Sequence, residues 1–183
     1  MESLRGHLLI ASPQLADPNF CRSVVLMVQH DDGGAMGLVL NRPLDTLVVT
    51  AWEQVSEVPC QAEGYLHHGG PCEGPLMVIH MDASMSDMEI VPGLYFSAEK
   101  ESVQQLASIG DGQMRFFVGY AGWAPGQLEA EMEEGAWVAV PASEESVFGE
   151  ESEQWQMMLK SAAPRSPLTW VNPKLIPDDP SVN

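Results

Sequence analysis

SVVLMVQHDDGGAMGLVLNRP, residues 23–43, decides the fold. Its two apolar runs, 23–30 and 35–40, stand either side of Asp31-Asp32-Gly33-Gly34. Glycine reaches positive φ at no steric cost, and Asp and Gly are residues of tight hairpin turns, so the segment predicts an antiparallel hairpin. Asp17-Pro18-Asn19-Phe20 is a turn signal that delivers Arg22 to the base of the first strand, and Asn41-Arg42-Pro43 ends the second. Pairing across the turn therefore brings Arg22 and Arg42 to one hairpin end. Two neighbouring arginines either hold a carboxylate or phosphate, or pair with the chain's own acids and cap its loops.

Outward from the hairpin, further apolar runs at 4–10, 64–68, 76–80, 94–97, 114–120 and 136–140 read as strands. His-Gly-Gly-Pro and a second Gly-Pro between 64–68 and 76–80 make those two a hairpin or neighbours. Residues 44–55 read as a helix, started by Asp45 or Thr46, with Val48, Val49, Trp52 and Val55 on one face. A second helix over 98–109 stops at Gly110. A short one opens at Pro125, and a last one over 151–160 has acids early and Lys160 late, as the helix dipole favours. Strands and helices mix without βαβ alternation, which gives an α+β class: a single domain over 1–163, then an extended, Pro-rich tail over 164–183.

The chain of 183 residues carries 26 acids against 8 bases, a formal net charge of −18. Such a field repels phosphate backbones, and no helix-turn-helix cue or basic stripe opposes it, so direct nucleic-acid binding is not expected. Nine glutamates and no Lys or Arg fall within 129–153, which reads as a solvated face. No window has about 18 consecutive apolar residues, and the N-terminal apolar run is too short for a signal peptide. Cys21, Cys60 and Cys72 are an odd set without C-x-x-C spacing, so reduced thiols in a cytoplasmic, non-membrane protein are expected.

The residue types that carry chemistry do not assemble into a known motif. His67 and His68 are adjacent, so on a strand they face opposite sides and do not share a metal ion. Cys21 beside Arg22, with His30 as a distant base, resembles no nucleophile motif, and no catalytic residue is assigned. Gly69-Gly70-Pro71 and Gly119-Tyr120-Ala121-Gly122-Trp123 both follow strands, but neither is a dinucleotide fingerprint or a P-loop. Gly119 and Gly122 are read as serving the backbone of a turn, and Trp123 as packing over its own loop.

As a set, GHLLIASPQLADPNFCRSVVLMVQHDDGGAMGLVLNRPL, the Gly-Gly-Pro at 69–71 and FFVGYAGWAPGQLEAE resemble the YqgE/AlgH family of bacterial proteins. The resemblance covers most of the chain. His67-His68 and Cys72 are departures from the family's pattern. The resemblance implies a compact α+β domain whose bent sheet forms a partial barrel, flanked by a few helices. It implies little about function: the family is largely uncharacterised, and one branch carries a label of transcriptional regulator of alginate synthesis.

The expectation is a non-enzymatic regulatory or binding module that meets a protein partner or a small anionic ligand. Its surface comprises Arg22, His30, Asn41, Arg42, Gly70, Pro71, Tyr120, Trp123 and Gln127, without cofactor or metal. The alternatives are an enzyme of unrecognised type with a pocket near Arg22, His30 and Arg42, and a direct transcriptional regulator, which the charge disfavours.

Overall fold

Val24, Leu26 and Val28 point to one side of a strand, Val25 and Met27 to the other, and all five are fully buried. A strand with no polar face must be covered on both sides, and the architecture supplies the two covers. The computed structural model describes residues 2–162. Its strands, in chain order, are β1 (His7–Ala11), β2 (Val24–Asp31), β3 (Gly34–Val39), β4 (Pro43–Leu47), β5 (Tyr65–His68), β6 (Met77–His80), β7 (Met88–Val91), β8 (Leu94–Ser97), β9 (Met114–Val118), β10 (Ala121–Trp123) and β11 (Trp137–Pro141). The helices are α1 (Val48–Glu53), α2 (Lys100–Ile109), α3 (Gln127–Glu133), α4 (Glu144–Phe148) and α5 (Glu151–Ala162).

Five strands form an antiparallel sheet in the order β10-β3-β2-β1-β11, and six form a mixed sheet in the order β4-β5-β9-β6-β8-β7. The core follows from strand alternation. Leu8, Val24, Leu26, Val28, Leu38 and Leu40 face Met77, Ile79, Phe96 and Phe117 of the second sheet, filling the space between the two. Leu9, Val25, Met27, Val39 and Ala121 point the other way, where Leu128 of α3, Trp123 and Trp137 cover them. On the far face of the six-stranded sheet, Val78 and Phe116 pack under Val48 and Trp52 of α1 and Val103 and Leu106 of α2. The fold is a single α+β domain, and its two sheets do not close into a barrel.

The hairpin forms as the turn residues dictate, with Asp31 opposite Gly34 and a bulge between Met27 and Gln29. Helix α2 ends at Gly110, whose φ is 61°, the left-handed stop expected of that glycine. Other expectations need correction. Residues 44–47, read as the start of a helix, belong with Pro43 to an edge strand paired with β5, and the helix begins after Leu47 without a side-chain cap from Asp45 or Thr46. Strands β5 and β6 are not neighbours: β9 lies between them, parallel to β5 and antiparallel to β6. Helix α3 begins at Gln127 instead of Pro125, and Gly122 belongs to β10, with no positive φ. Strands β7 and β10 and helix α4 have no counterpart in the sequence reading. The tail over 164–183 lies outside the described residues.

The two glycine loops meet. Gly69 N–H donates to Val118 O at 2.9 Å, and Cys72 and Tyr120 exchange backbone bonds of 2.9 and 3.0 Å. Gly70 has φ of 152°, and a Cβ there would stand 2.2 Å from the Tyr120 carbonyl carbon. Gly112 has φ of 84° with nothing near the same position. Gly70→Ala is therefore expected to lower the unfolding free energy by about 3 kcal/mol or more, because backbone strain and a backbone clash add. Gly112→Ala is expected to cost about 1 kcal/mol, from strain alone. Urea denaturation of the two variants checks the difference.

Candidate functional site

Loop chemistry builds the end of the hairpin away from its turn. Asn41 accepts from Val24 N–H at 3.0 Å through Oδ1 and donates to Arg22 O at 2.9 Å through Nδ2, tying the chain before β2 to the chain after β3. Arg42 donates its guanidinium to Cys21 O at 2.6 Å. Arg22 has φ of 55°, the one positive value at a non-glycine among the described residues. That backbone turns its side chain outward, where the guanidinium lies 5.8 Å from the centre of the Trp155 ring on α5. Arg22 is exposed and makes no ion pair among the described residues.

Gly70, Pro71 and Tyr120 lie beside this end. Val39 N–H donates to Gly69 O at 2.8 Å, and His68 N–H donates to Arg42 O at 2.8 Å, so the Gly-Gly-Pro loop runs alongside residues 39–42. Tyr120 is held by its backbone exchange with Cys72, and its ring lies against Gly74. Arg22, Asn41, Arg42, Gly70, Pro71 and Tyr120 thus form one region.

His30, Trp123 and Gln127 form another, at the turn end of the hairpin. His30 is six residues along β2 from Val24, a strand length of ~20 Å. Its Nδ1 accepts from Leu4 N–H at 2.9 Å, so Nε2 carries the proton and donates to Glu129 at 2.7 Å. The pocket expected to combine Arg22, His30 and Arg42 is not assembled, because a strand separates its members.

The glutamates after the glycine-aromatic turn also need correction. Glu131 Oε2 accepts from the indole N–H of both Trp123 and Trp137, each at 2.9 Å, while Oε1 accepts from Gln127 at 2.9 Å. Phe20 stacks on Trp123 and meets Trp137 edge-on, with centroids 5.9 and 5.6 Å away. Glu129 and Glu131 are structural anchors, and only Glu133 and Glu134 are the exposed face that was expected. Glu129 has its carboxyl held below the usual range by its own backbone N–H and then by the His30 bond. Trp123 is buried, but against Phe20, Trp137 and the outer face of the five-stranded sheet instead of over its own loop.

A buried polar cluster was missed altogether. Arg115 in β9 donates to the carbonyls of Leu40, Val147 and Gly149 at 3.2, 3.0 and 3.2 Å. Glu151, the first residue of α5, stands 3.2 Å from Arg115 and 2.6 Å from His67 Nε2. Burial pushes the Arg115 pKa down, against the pull of Glu151, and holds His67 below its ordinary value despite the same carboxylate. His80 is likewise depressed by burial, with Nδ1 accepting from Asp82 N–H at 3.2 Å and Nε2 bonded to Ser97 at 2.9 Å. An arginine inside the apolar run MRFFV was the signal available for this cluster. Two clefts, of about 400 Å³ beside His80 and about 440 Å³ between α1 and α2, include none of the candidate site residues named from the sequence.

Two outcomes are expected. Glu131→Ala leaves two buried indole N–H groups unpaired and should cost about 2–4 kcal/mol in urea denaturation, with Glu131→Gln milder because it keeps an acceptor. The second concerns pH. His67 and His80 are neutral in the fold, whereas the unfolded chain takes up protons on them near pH 6.5, so stability is full above that value and is lost as pH falls below it toward their depressed folded pKa values. His67→Gln keeps a donor for Glu151 but does not titrate, and it should flatten the loss measured by urea denaturation between pH 7.5 and 5.5. Asp31, Asp82, Asp87 and Glu129 have depressed pKa values and weaken the fold in a separate, lower window.

The chain matches the model of the AlgH-like family over residues 8–166. It is 40% identical over 163 residues to a UPF0301 protein of Chlorobaculum tepidum, covering 85% of each chain. A UPF0301 protein of Myxococcus xanthus is 38% identical over 165 residues, covering 87% of this chain and 91% of the other. Among solved structures, the solution structure of the AlgH protein from Pseudomonas aeruginosa superposes with a TM-score of 0.74 at 31% identity, covering 87% and 88% of the two chains. A crystal structure of a Corynebacterium diphtheriae protein gives a TM-score of 0.71 at 27% identity, covering 93% and 90%. With its fold and most of its length shared in this way, the chain belongs to the AlgH-like family.

Proposed function

We propose that this protein works by binding, as a regulatory or scaffolding module whose contact surface is the Arg22 end of the hairpin and whose ligand is a protein or a small molecule bearing an anionic group. The observation that carries this reading is the state of Arg22. Arg115 and Arg42 are engaged with backbone carbonyls, whereas Arg22 is held outward over an aromatic ring with its donors facing solvent. A guanidinium fixed in this way meets a carboxylate or a sulfate-like group with two parallel bonds and little loss of side-chain freedom. Asn41 supports it by holding the Arg22 carbonyl, and the Gly-Gly-Pro loop by running alongside residues 39–42.

The remaining residues fit a scaffold role better than a chemical one. His30, Trp123 and Gln127 spend their polar groups on Glu129, Glu131 and the local backbone. The net charge of −18 opposes a duplex, so the regulation we propose is indirect, through another protein. The cytoplasm is the proposed setting, consistent with three cysteines that stand as free thiols.

Titration with sodium sulfate, followed by amide chemical shifts, tests the reading. The shifts are expected to cluster at residues 20–24, 41–43 and 69–71, and Arg22→Gln should weaken the affinity about tenfold, the scale of a lost charge-assisted contact. Equal affinity in Arg22→Gln and wild type removes this surface from consideration. Retention of duplex DNA at physiological salt would favour the direct regulator instead.

A further inference from the structure

Helix α5 is attached in an unusual way for a helix lying on a domain. Of its 12 residues, only Gln154 and Ala162 are buried. Directional polar contacts fix one side of its first turns, beside the partly buried Trp155 and Met158. Glu151 reaches Arg115 and His67, Gln154 donates to Ser146 O at 2.7 Å, and the Trp155 indole donates to Ala11 O at 2.8 Å. Ala11 ends β1 of the five-stranded sheet, whereas His67 and Arg115 belong to β5 and β9 of the six-stranded one. The helix is therefore a strap fixed to both sheets. Trp155 and Met158 add apolar contact with the core between the sheets, and two of the buried atoms at the polar seat, His67 Nδ1 and Gln154 Oε1, have no hydrogen-bond partner among the described residues. Bonds of this kind contribute only while the docked geometry is intact, unlike burial of a broad apolar face.

Trp155 faces two ways. Its N–H is tied to β1, and its ring lies under the Arg22 guanidinium. We infer that α5 is a latch for the Arg22 surface: Glu151, seated between Arg115 and His67, keeps Trp155 beneath Arg22, and release of the helix dismantles the anion-binding surface. This rests on the reading of Arg22 as the binding cation, and it adds Glu151, His67, Arg115 and Trp155 as positioning residues. Among the described residues, the charged groups that bear on His67 are Glu151 from α5 and Arg115 from β9. A proton on His67 places a second cation beside Arg115 in a buried position, and this desolvation outweighs the pull of Glu151 and of the Phe116 backbone, which disfavours the docked helix. Acid therefore opens the latch, and neutral pH closes it.

The test uses the full chain and two independent readouts, hydrogen-exchange protection of the α5 amides and the affinity for sulfate, whose charge is constant over the pH range used. In wild type, lowering the pH from 7.5 to 5.5 should reduce α5 protection about tenfold, while the Leu26 amide in β2 keeps its own. Sulfate affinity should fall in parallel, by about threefold, the scale of a lost guanidinium–aromatic contact. His67→Gln should abolish both pH responses. Glu151→Gln should lower α5 protection and sulfate affinity already at pH 7.5, and Trp155→Leu should weaken sulfate with the Glu151 seat still present. Unchanged α5 protection in Glu151→Gln overturns the latch, as does a released α5 with undiminished sulfate binding, an outcome that leaves Arg22 standing as the site. Failure of wild type to bind sulfate at pH 7.5 overturns the coupling and the Arg22 reading together. Intact α5 protection in Glu151→Gln with ordinary sulfate binding sinks the latch alone.

Discussion

Burial of β2 on both faces is the constraint on which the structure depends. Five consecutive apolar residues cannot be shared between core and solvent, so the strand demands a sheet on one side and a helix with aromatic cover on the other. The six-stranded sheet answers the first demand. Trp123, Trp137 and α3 answer the second, but two indoles can be buried there only if their N–H groups are satisfied, and one carboxylate, Glu131, serves both. The acidic helix therefore follows from the apolar strand. Its glutamates are distributed between a structural duty on the inner face and solvation on the outer.

The sequence was legible where a local rule met no competing partner from elsewhere in the chain. The Asp-Asp-Gly-Gly turn specified the hairpin, and Gly110 specified the end of α2, because each depends on backbone conformations available to few residues. The α+β class followed from the mixture of patterns. What stayed hidden depended on partners distant in the chain. No local feature of 64–68 or 76–80 says that 114–118 will insert between them, and nothing around Glu131 says that a residue of 123 and a residue of 137 will share it. Pro43-Leu44-Asp45-Thr46-Leu47 illustrates the competition directly: its cap-like residues favoured a helix, but pairing with β5 prevailed.

The candidate site shows the same division. The convergence of Arg22, Asn41 and Arg42 was legible because a hairpin fixes which residues share an end. Joining His30 to them was an error of distance along a strand, and Trp123 and Gln127 were grouped with them by sequence proximity to Tyr120. Arg115 was hidden in an apolar run because a buried arginine is costly unless carbonyls and a carboxylate are arranged around it, and those come from Leu40 and from the stretch 147–151, both distant in the chain. In a chain with eight basic residues, committing Arg115 and Arg42 to internal bonds is what gives Arg22 its distinct position.

The antiparallel pairing of β1 with β11 sets His7 opposite Pro141, so the first strand of the chain finds its partner near the end of the domain. During synthesis the hairpin of β2 and β3 can form early, but the free edge of β1 stays open until residue 141 has left the ribosome. An open edge backed by fully apolar strands invites pairing with other chains. The long separation also makes closure slow, since the entropy of the intervening loop is lost before the contact is gained. Time spent with that edge uncovered is a folding-stage exposure to misassembly, separate from the stability of the finished domain.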